Sequence, residues 1–458
     1  MEMPVFSPKR REVMPLGWAD ISDLIPLLNT PEVQRLEQST QLGVNYKVFP
    51  TATHKRLGHS LGVVEMTTRL IQELFRRDFF PESERAQLMQ DLRIAALLHD
   101  LGHAPYGHPS EYVAKFLEMG YDHKVKTAEL IRQLDSTIRK CGSSSDRIVQ
   151  LLDEKNGAPE GKLVYGSPTG GDKILYLLQD KYFAGVLDVS ETVDPPTLFG
   201  YSCWTGKELA IARQGIPAFE VLGRLFMNMY LHCYFKPECL AAQRLWEKGL
   251  EVYMRETGLS VREMYEMREF ELESALAASD VRMVRECHKR LSEFGSLEAA
   301  VTLKVRGVES KKTPVGDSPK EVGIRPEHAT GLSEFYENPL NRTKLEKKLA
   351  VQYSLSEDGV VVTTTPDLPK LVPKDIPVVD ETGVDAGTIF EQSPEHKESL
   401  QRLARKGYSF IVWAPTNARE RVAAGYKEVC AIIEAESKVE LTYDVGARER
   451  KLFTEPAK

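Results

Sequence analysis

The sequence predicts a mainly α protein: a large helical domain followed by a smaller α+β C-terminal region. Three observations carry that prediction. Between residues 18 and about 300, apolar side chains recur at intervals of three and four. Near residue 305 the character changes to proline-rich and β-branched runs. The composition, 42% hydrophobic and 28% charged, is that of a folded chain. At 458 residues there is enough chain for a large core and an appendage. The division falls at 1–304 and 305–458, with no role assigned to the second part.

Leu70 and Leu74 with Phe75, then Leu88, Leu92, Ala95 and Leu98, keep helical spacing. Phe219, Leu222, Phe226, Met229, Tyr230, Cys233 and Tyr234 share one stripe that stops before Pro237. The run from Arg262 to Phe294 reads as helix with a charged face. Residues 309–328 carry three prolines and mixed charge, which predicts a loop. GVVVTTT (359–365) has strand composition and leads into a second proline-rich stretch, 363–383. SFIVWAP (409–415) predicts a strand, and Asn417 a cap for a helix reaching about Glu436. There is no internal repeat and no low-complexity tract.

Sixty Lys and Arg against 67 Asp and Glu give a net charge of −7. That balance argues against broad electrostatic binding to DNA or to an anionic membrane, leaving only a local basic groove for nucleic acid. Cys141, Cys203, Cys233, Cys239, Cys287 and Cys430 show no CxxC spacing and read as buried thiols in a reducing compartment. The opening MEMPVFSPKRREVMPLGW lacks the apolar core of a signal peptide. No run approaches the roughly 18 apolar residues of a membrane span. The predicted setting is the cytoplasm.

Six of the ten histidines (His54, His59, His99, His103, His108 and His123) fall between residues 54 and 123. At the centre stands AALLHDLGHAPYGH (95–108), an apolar helix delivering His99 and Asp100 at its end before Gly102 and Pro105 turn the chain. His59 opens another helical run, and Asp172 a third. Two imidazoles and two carboxylates without thiolate suit one divalent ion: Mn²⁺, Mg²⁺ or Fe²⁺, with Zn²⁺ also compatible. Such an ion polarises a phosphorus–oxygen bond and activates water. His103, His108 and His123 are candidates for proton transfer, and Lys55, Arg56 and Lys173 for phosphate oxygens. A lone His-Asp pair at a helix end is usually a surface or capping pair, His54 alone reads as structural, and Tyr176 and Tyr234 lie on apolar stripes where a core role is the default.

At these residues the sequence resembles the HD-domain deoxynucleoside triphosphate triphosphohydrolases, the family of the SAM-and-HD-domain restriction factor and bacterial dGTPase-like enzymes. The resemblance is densest over NTPEVQRLEQSTQLGVNYKVFPTATHKRLGHSLGV (29–63). It continues through HDLGHAPYGH and GDKILYLLQD, more faintly through RLFMNMYLHCYF (224–235), and covers residues 20 to about 300. It implies an HD-superfamily helical domain, a homo-oligomer, and cleavage of a deoxynucleoside triphosphate (dNTP) at the α-phosphorus to deoxynucleoside and triphosphate. It implies that His59, His99, Asp100 and Asp172 hold the metal and that His103 and His123 are catalytic. Arg56, His108 and Lys173 would contact phosphate. Gln41 and Leu42 would meet sugar and base, Tyr176 and Asp180 the 3′-hydroxyl, and Tyr234 would pack beneath the ribose.

The chain departs from the pattern at Lys124, where the family has Glu after the second catalytic histidine, and at Leu175 and Gln179. Phe226 stands at an expected phosphate-binding arginine, and Asn29 and Glu37 replace the Asp and Arg of the mammalian-type activator site. These departures keep two other readings open. One is an HD phosphoesterase acting on another nucleotide or on single-stranded DNA ends. The other is a nucleotide-sensing module with little turnover.

Overall fold

The computed structural model describes residues 9–117, 122–186, 190–293, 295–305 and 319–441. Within them the chain is mainly helical and forms two compact units. Unit 1 comprises 1–233, 259–275 and 373–398; unit 2 comprises 234–258, 276–372 and 399–458. The chain thus passes between units several times, and the helix Pro237–Thr257 and residues 276–304 pack with unit 2.

Unit 1 is built on helices α1 (Arg56–Arg76), α2 (Glu82–Leu98), α3 (His108–Leu117), α4 (His123–Gln133), α5 (Ser145–Leu152) and α6 (Gly171–Ala184). On α1 the buried His59, Ser60, Val63, Thr67, Leu70, Ile71 and Leu74 follow three- and four-residue steps and form one face. Three of those positions are polar, which is unusual for a core stripe. Helix α2 carries Glu82 and Glu84 in its first turn, favourable for the helix dipole, and buries every residue from Ile94 to Leu98. It therefore ends inside the unit, where His99 and Asp100 follow. Gly62 lets α1 and α6 approach closely, since a Cβ there would stand 2.6 Å from Leu175. That crossing brings His59 and Asp172, each one turn earlier on its helix, into one place.

A small sheet completes unit 1, with strands in the order Ser202–Trp204, Leu209–Ala212, Pro377–Val379, Asp385–Thr388. The central pair is parallel, so a late segment joins the N-terminal unit through backbone hydrogen bonds. Unit 2 holds the α+β part. Its sheet runs Lys320–Ile324, Leu297–Val305, Phe410–Pro415, Val361–Thr364, and one face covers a core that includes Leu303, Leu349, Phe410 and Ile433.

The mainly α reading and the predicted strands at 359–365 and 409–415 agree with these elements. Four local expectations change. The run 262–294 is three helices, Val261–Glu266, Glu269–Ala277 and Arg282–Ser292, with residue 294 outside the described residues. Of the loop predicted over 309–328, residues 309–318 lie outside the described residues, while Lys320–Ile324 is a strand and Pro326 opens a helix. The proline-rich 363–383 stretch holds the strand Pro377–Val379, where Pro starts the strand and so withholds no central ladder donor. The last helix is capped at Pro415, not Asn417, and breaks at Gly425 into Thr416–Ala424 and Tyr426–Ser437. All six cysteines are buried free thiols, and no helix among the described residues is long and apolar enough to cross a membrane.

Candidate metal centre

Four side chains from three elements converge at the end of α2. His59 Nε2 lies 3.2 Å from Asp172 Oδ1 and 3.9 Å from Asp100 Oδ2. His99 Nε2 lies 3.2 Å from Asp100 Oδ1 and 3.7 Å from Asp172 Oδ1. Ligand atoms of His59, His99 and Asp172 all fall within 4.8 Å of one another. The two histidines are buried, and the carboxylates nearly so.

These residues fit a divalent cation, and His99 shows why. Its Nδ1 donates to the Ala96 carbonyl at 2.9 Å, which leaves the Nε2 lone pair pointing at two carboxylates. Nε2 is buried and has no hydrogen-bond partner. Lone pair against lone pair is repulsive in a low-dielectric interior, so the site attracts positive charge. Burial disfavours charge on His99, yet Asp100 and Asp172 push its pKa up to about 9. Burial would raise Asp100, but His99, His103 and Arg56 hold its carboxyl well below the usual range. Asp172 is lowered likewise, with His59 and His99 outweighing burial. A set of nitrogen and carboxylate donors without thiolate is that of a hard or borderline divalent ion.

Beside this centre stands a second group. His103 Nδ1 lies 2.5 Å from Glu111 Oε1, while His108 Nδ1 and His123 Nδ1 lie 3.2 and 3.3 Å from Glu111 Oε2. The rings of His103 and His123 stack at 4.5 Å, and His103 Nε2 faces Asp100 Oδ1 at 3.4 Å. Gly102 makes this possible: a Cβ there would stand 1.8 Å from the His123 carbonyl, and its N–H donates to Thr127 Oγ1 at 2.8 Å. Burial and the Arg56 charge lower the His103 pKa, while its histidine neighbours overcome burial to hold Glu111 well below its usual value. Glu111 was absent from the sequence reading. Its signal was present in HPSE (108–111), where the i, i+3 spacing puts His108 and Glu111 on one face.

Lys124 departs from the family pattern, but its ammonium is directed to Glu154 at 3.0 Å, and the carboxylate nearest His123 is Glu111 at 3.3 Å, with Asp122 at 4.0 Å. Leu175 packs against Gly62 of α1, and Gln179 donates to the Met14 carbonyl at 3.1 Å. Both side chains are therefore taken up by packing, on the same face of α6 as Asp172 and Tyr176, with which they form an i, i+3, i+4, i+7 set.

The outer residues divide into three groups. Arg56 is buried and donates to Asp100 Oδ2 at 2.8 Å, and Lys55 occupies the N-cap position of α1 without a side-chain capping bond. Lys173 donates to Tyr176 Oη at 2.6 Å and stands 4.5 Å over the Phe226 ring; burial lowers its pKa to about 8. Tyr176 Oη is 3.5 Å from Tyr230 Oη. Asp180 accepts from His54 Nε2 at 2.8 Å, and His54 stacks on Phe183, so His54 is a buried member of this shell. The Gln41 N–H donates to the His54 carbonyl, Gln41 Oε1 is buried without a partner, and half-buried Leu42 precedes the turn Gly43–Lys47. Tyr234 closes the π-turn Tyr230–Tyr234 and is the first residue of unit 2.

Residues 56–189 match the family model of the HD domain. Among curated proteins, the deoxynucleoside triphosphate triphosphohydrolase SAMHD1 of Bos taurus is 47% identical over 88 residues, 19% of this chain and 14% of that protein. An uncharacterized protein of Methanocaldococcus jannaschii is 26% identical over 270 residues, 58% of this chain and 54% of that one. The chain thus spans about half the length of the curated relatives it matches over the greatest extent. A phosphohydrolase structure from Bacteroides thetaiotaomicron shares the fold at a TM-score of 0.67, with 16% identity, covering 89% of this chain and 100% of that one.

Proposed function

We propose that this chain hydrolyses deoxynucleoside triphosphates to deoxynucleoside and triphosphate, in nucleotide-pool control or in defence against phage. One observation carries the reading: two imidazole Nε2 atoms and two carboxylates converge beside a histidine pair held by Glu111. His59, His99, Asp100 and Asp172 would hold one divalent ion, Mn²⁺, Mg²⁺ or Fe²⁺, with Zn²⁺ also compatible. When bound, the ion supplies Lewis-acid polarisation of a phosphoryl oxygen and activation of water.

The chain's own groups supply the rest. Arg56 and Lys173 stand next to Asp100 and Asp172, where their charges balance those of the polyphosphate, and the exposed His108 adds a third contact. His103, its Nδ1 held by Glu111, directs Nε2 toward Asp100 at the centre, where it would hold or move a proton, and His123 shares the same carboxylate. Water adds to the α-phosphorus, the bond to the 5′-oxygen breaks, and the departing nucleoside takes a proton from this cluster. Gln41, Leu42, Tyr176, Asp180 and Tyr234 would line the nucleoside side, and a ring packed beneath the ribose would exclude a 2′-hydroxyl. The similarity to a dNTP triphosphohydrolase over 88 residues supports this substrate class.

Phe226, beneath the Lys173 ammonium, favours a second reading, an HD phosphoesterase with a different phosphate shell, acting on another nucleotide or on single-stranded DNA ends. A product assay decides. Purified protein with Mn²⁺ or Mg²⁺ is offered all four dNTPs, singly and mixed, beside an Asp172→Ala control. Triphosphate plus deoxynucleoside, absent from the control, is expected. Monophosphate release or shortened DNA would replace the first reading with the second. Tight dNTP binding without any product would identify a nucleotide sensor.

A further inference from the structure

A helix far along the chain touches both loops that flank the candidate site. Helix α7 (Glu269–Ala277) presents Glu269 and Glu273, both within unit 1, to residues 40–47 and to the turn at Tyr106. The carboxylate of Glu269 is buried, 6% exposed. Its Oε1 accepts from the Thr40 N–H at 2.9 Å and the Tyr106 N–H at 3.0 Å, and both of its oxygens lie 3.0 Å from Thr40 Oγ1. One turn on, Glu273 accepts from Tyr106 Oη at 2.6 Å and Lys47 Nζ at 2.9 Å.

What this carboxylate holds is a costly arrangement. Tyr106 has φ +62°, in the left-handed region that side chains other than glycine rarely adopt, at a cost of about 1–2 kcal/mol. Gly43 lies directly on it: a Cβ there would stand 2.4 Å from the Tyr106 carbonyl oxygen. The two loops therefore meet backbone to backbone, with a buried anion joining their N–H groups. Burying a carboxylate is expensive unless its hydrogen bonds are geometrically satisfied, so it is a poor choice for simple stability. The residues next to the joint explain its value. Thr40 precedes Gln41, whose buried Oε1 has no partner, and Tyr106 lies two residues before His108.

We infer that Glu269 is a positioning residue that locks the Gln41–Leu42 loop onto the turn carrying His108, setting the nucleoside side of the pocket against the phosphate side. The inference rests on the proposed substrate contacts of Gln41, Leu42 and His108, and it involves no metal ligand. Glu269 acts through Thr40 and Tyr106 and not on the reacting atoms. Its removal should loosen substrate recognition more than chemistry.

The test uses the full chain with Glu269→Leu, the conservative Glu269→Gln, and Thr40→Val, which keeps the backbone donor. Two readouts are taken: hydrogen exchange at the Thr40 and Tyr106 amides, and kcat and KM for dNTPs with metal content measured alongside. In Glu269→Leu both amides should lose protection together while α1 keeps its own. KM should rise at least about 10-fold with kcat within about threefold and metal retained. Glu269→Gln, which keeps an acceptor oxygen, should stay within about twofold, and Thr40→Val should fall between. Protection unchanged in Glu269→Leu overturns the inference. So does a joint loss of kcat, metal and thermal stability with KM unmoved. If the unaltered protein cleaves no dNTP, the hydrolase reading has failed, and the joint or independent release of the two amides still decides whether Glu269 is the lock.

Discussion

At the scale of single residues, the state of His99 is decided by three neighbours. Ala96 takes its Nδ1 hydrogen, and the carboxylates of Asp100 and Asp172 face its Nε2. Removing one carboxylate removes half of the anionic charge that makes the site attract a cation. Outer-shell changes around metals already cost about 10–100-fold in affinity, so loss of a ligand should cost more. Asp172→Asn is expected to lose metal, read by elemental analysis after dialysis, and phosphohydrolase activity by at least about 100-fold. Stoichiometric metal in that variant would exclude Asp172 as a ligand. Glu111 differs, because it touches His103, His108 and His123 and none of the four candidate ligands. Glu111→Gln should keep the metal and lower kcat by about 100-fold, within the range for a disrupted proton-transfer group. Equal loss of metal and rate would assign Glu111 to ion binding instead. The candidate metal set was legible in the sequence, since a His-Asp pair and clustered histidines are visible as letters. Glu111 was less legible because its importance comes from three histidines that only folding brings to it.

At the scale of elements, packing partners account for two of the departures. Leu175 meets Gly62 of α1 and Gln179 donates to the Met14 carbonyl, from the same face of α6 that carries Asp172 and Tyr176. Helical periodicity puts all four on that face, but which partner each meets is decided by the fold. A different balance governs unit 2. The buried Glu346 accepts from Arg244 Nε at 2.9 Å and the Val362 N–H at 3.1 Å, and its Oε2 lies 3.1 Å from Lys248 Nζ. Although burial opposes its charge, Arg244 and Lys248 lower its pKa from 4.5 to about 2. The folded value lies below the unfolded one, so this stability is present in full above about pH 4.5 and is lost as pH falls toward 2. Glu346→Gln should destabilise the protein by about 3 kcal/mol at pH 7, the usual cost of breaking a buried ion pair. Urea midpoints at pH 7, 5 and 3 should show that penalty shrinking with acid. A penalty independent of pH would show that packing, and not charge, is what the substitution disturbs.

At the scale of the whole molecule, the interleaving of the two units has a direct consequence. Leu209–Ala212 pairs with Pro377–Val379, and both Ala210 and Ile211 are fully buried in unit 1. A fragment ending at residue 304 would leave that strand with an open apolar edge. Such a fragment is expected to aggregate or to unfold at least about 5 °C below the full chain, measured by light scattering and thermal melting. A monomeric fragment of unchanged stability would show that the late strands are dispensable to the HD unit.

The sequence by itself determined the helical class, the change of character near residue 305, and the identity of the four candidate metal-binding side chains. Each is a local property of period, composition or residue type. Only the tertiary structure decided that Glu111 gathers three histidines, that Lys124 turns to Glu154, and that Glu269 joins two loops more than 160 residues before it in the chain. Those outcomes depend on the helix crossing at Gly62, on the close approach of the Gly102 turn to His123 and on which buried donors need an acceptor. Contacts of that kind join residues distant in sequence and leave no period along it.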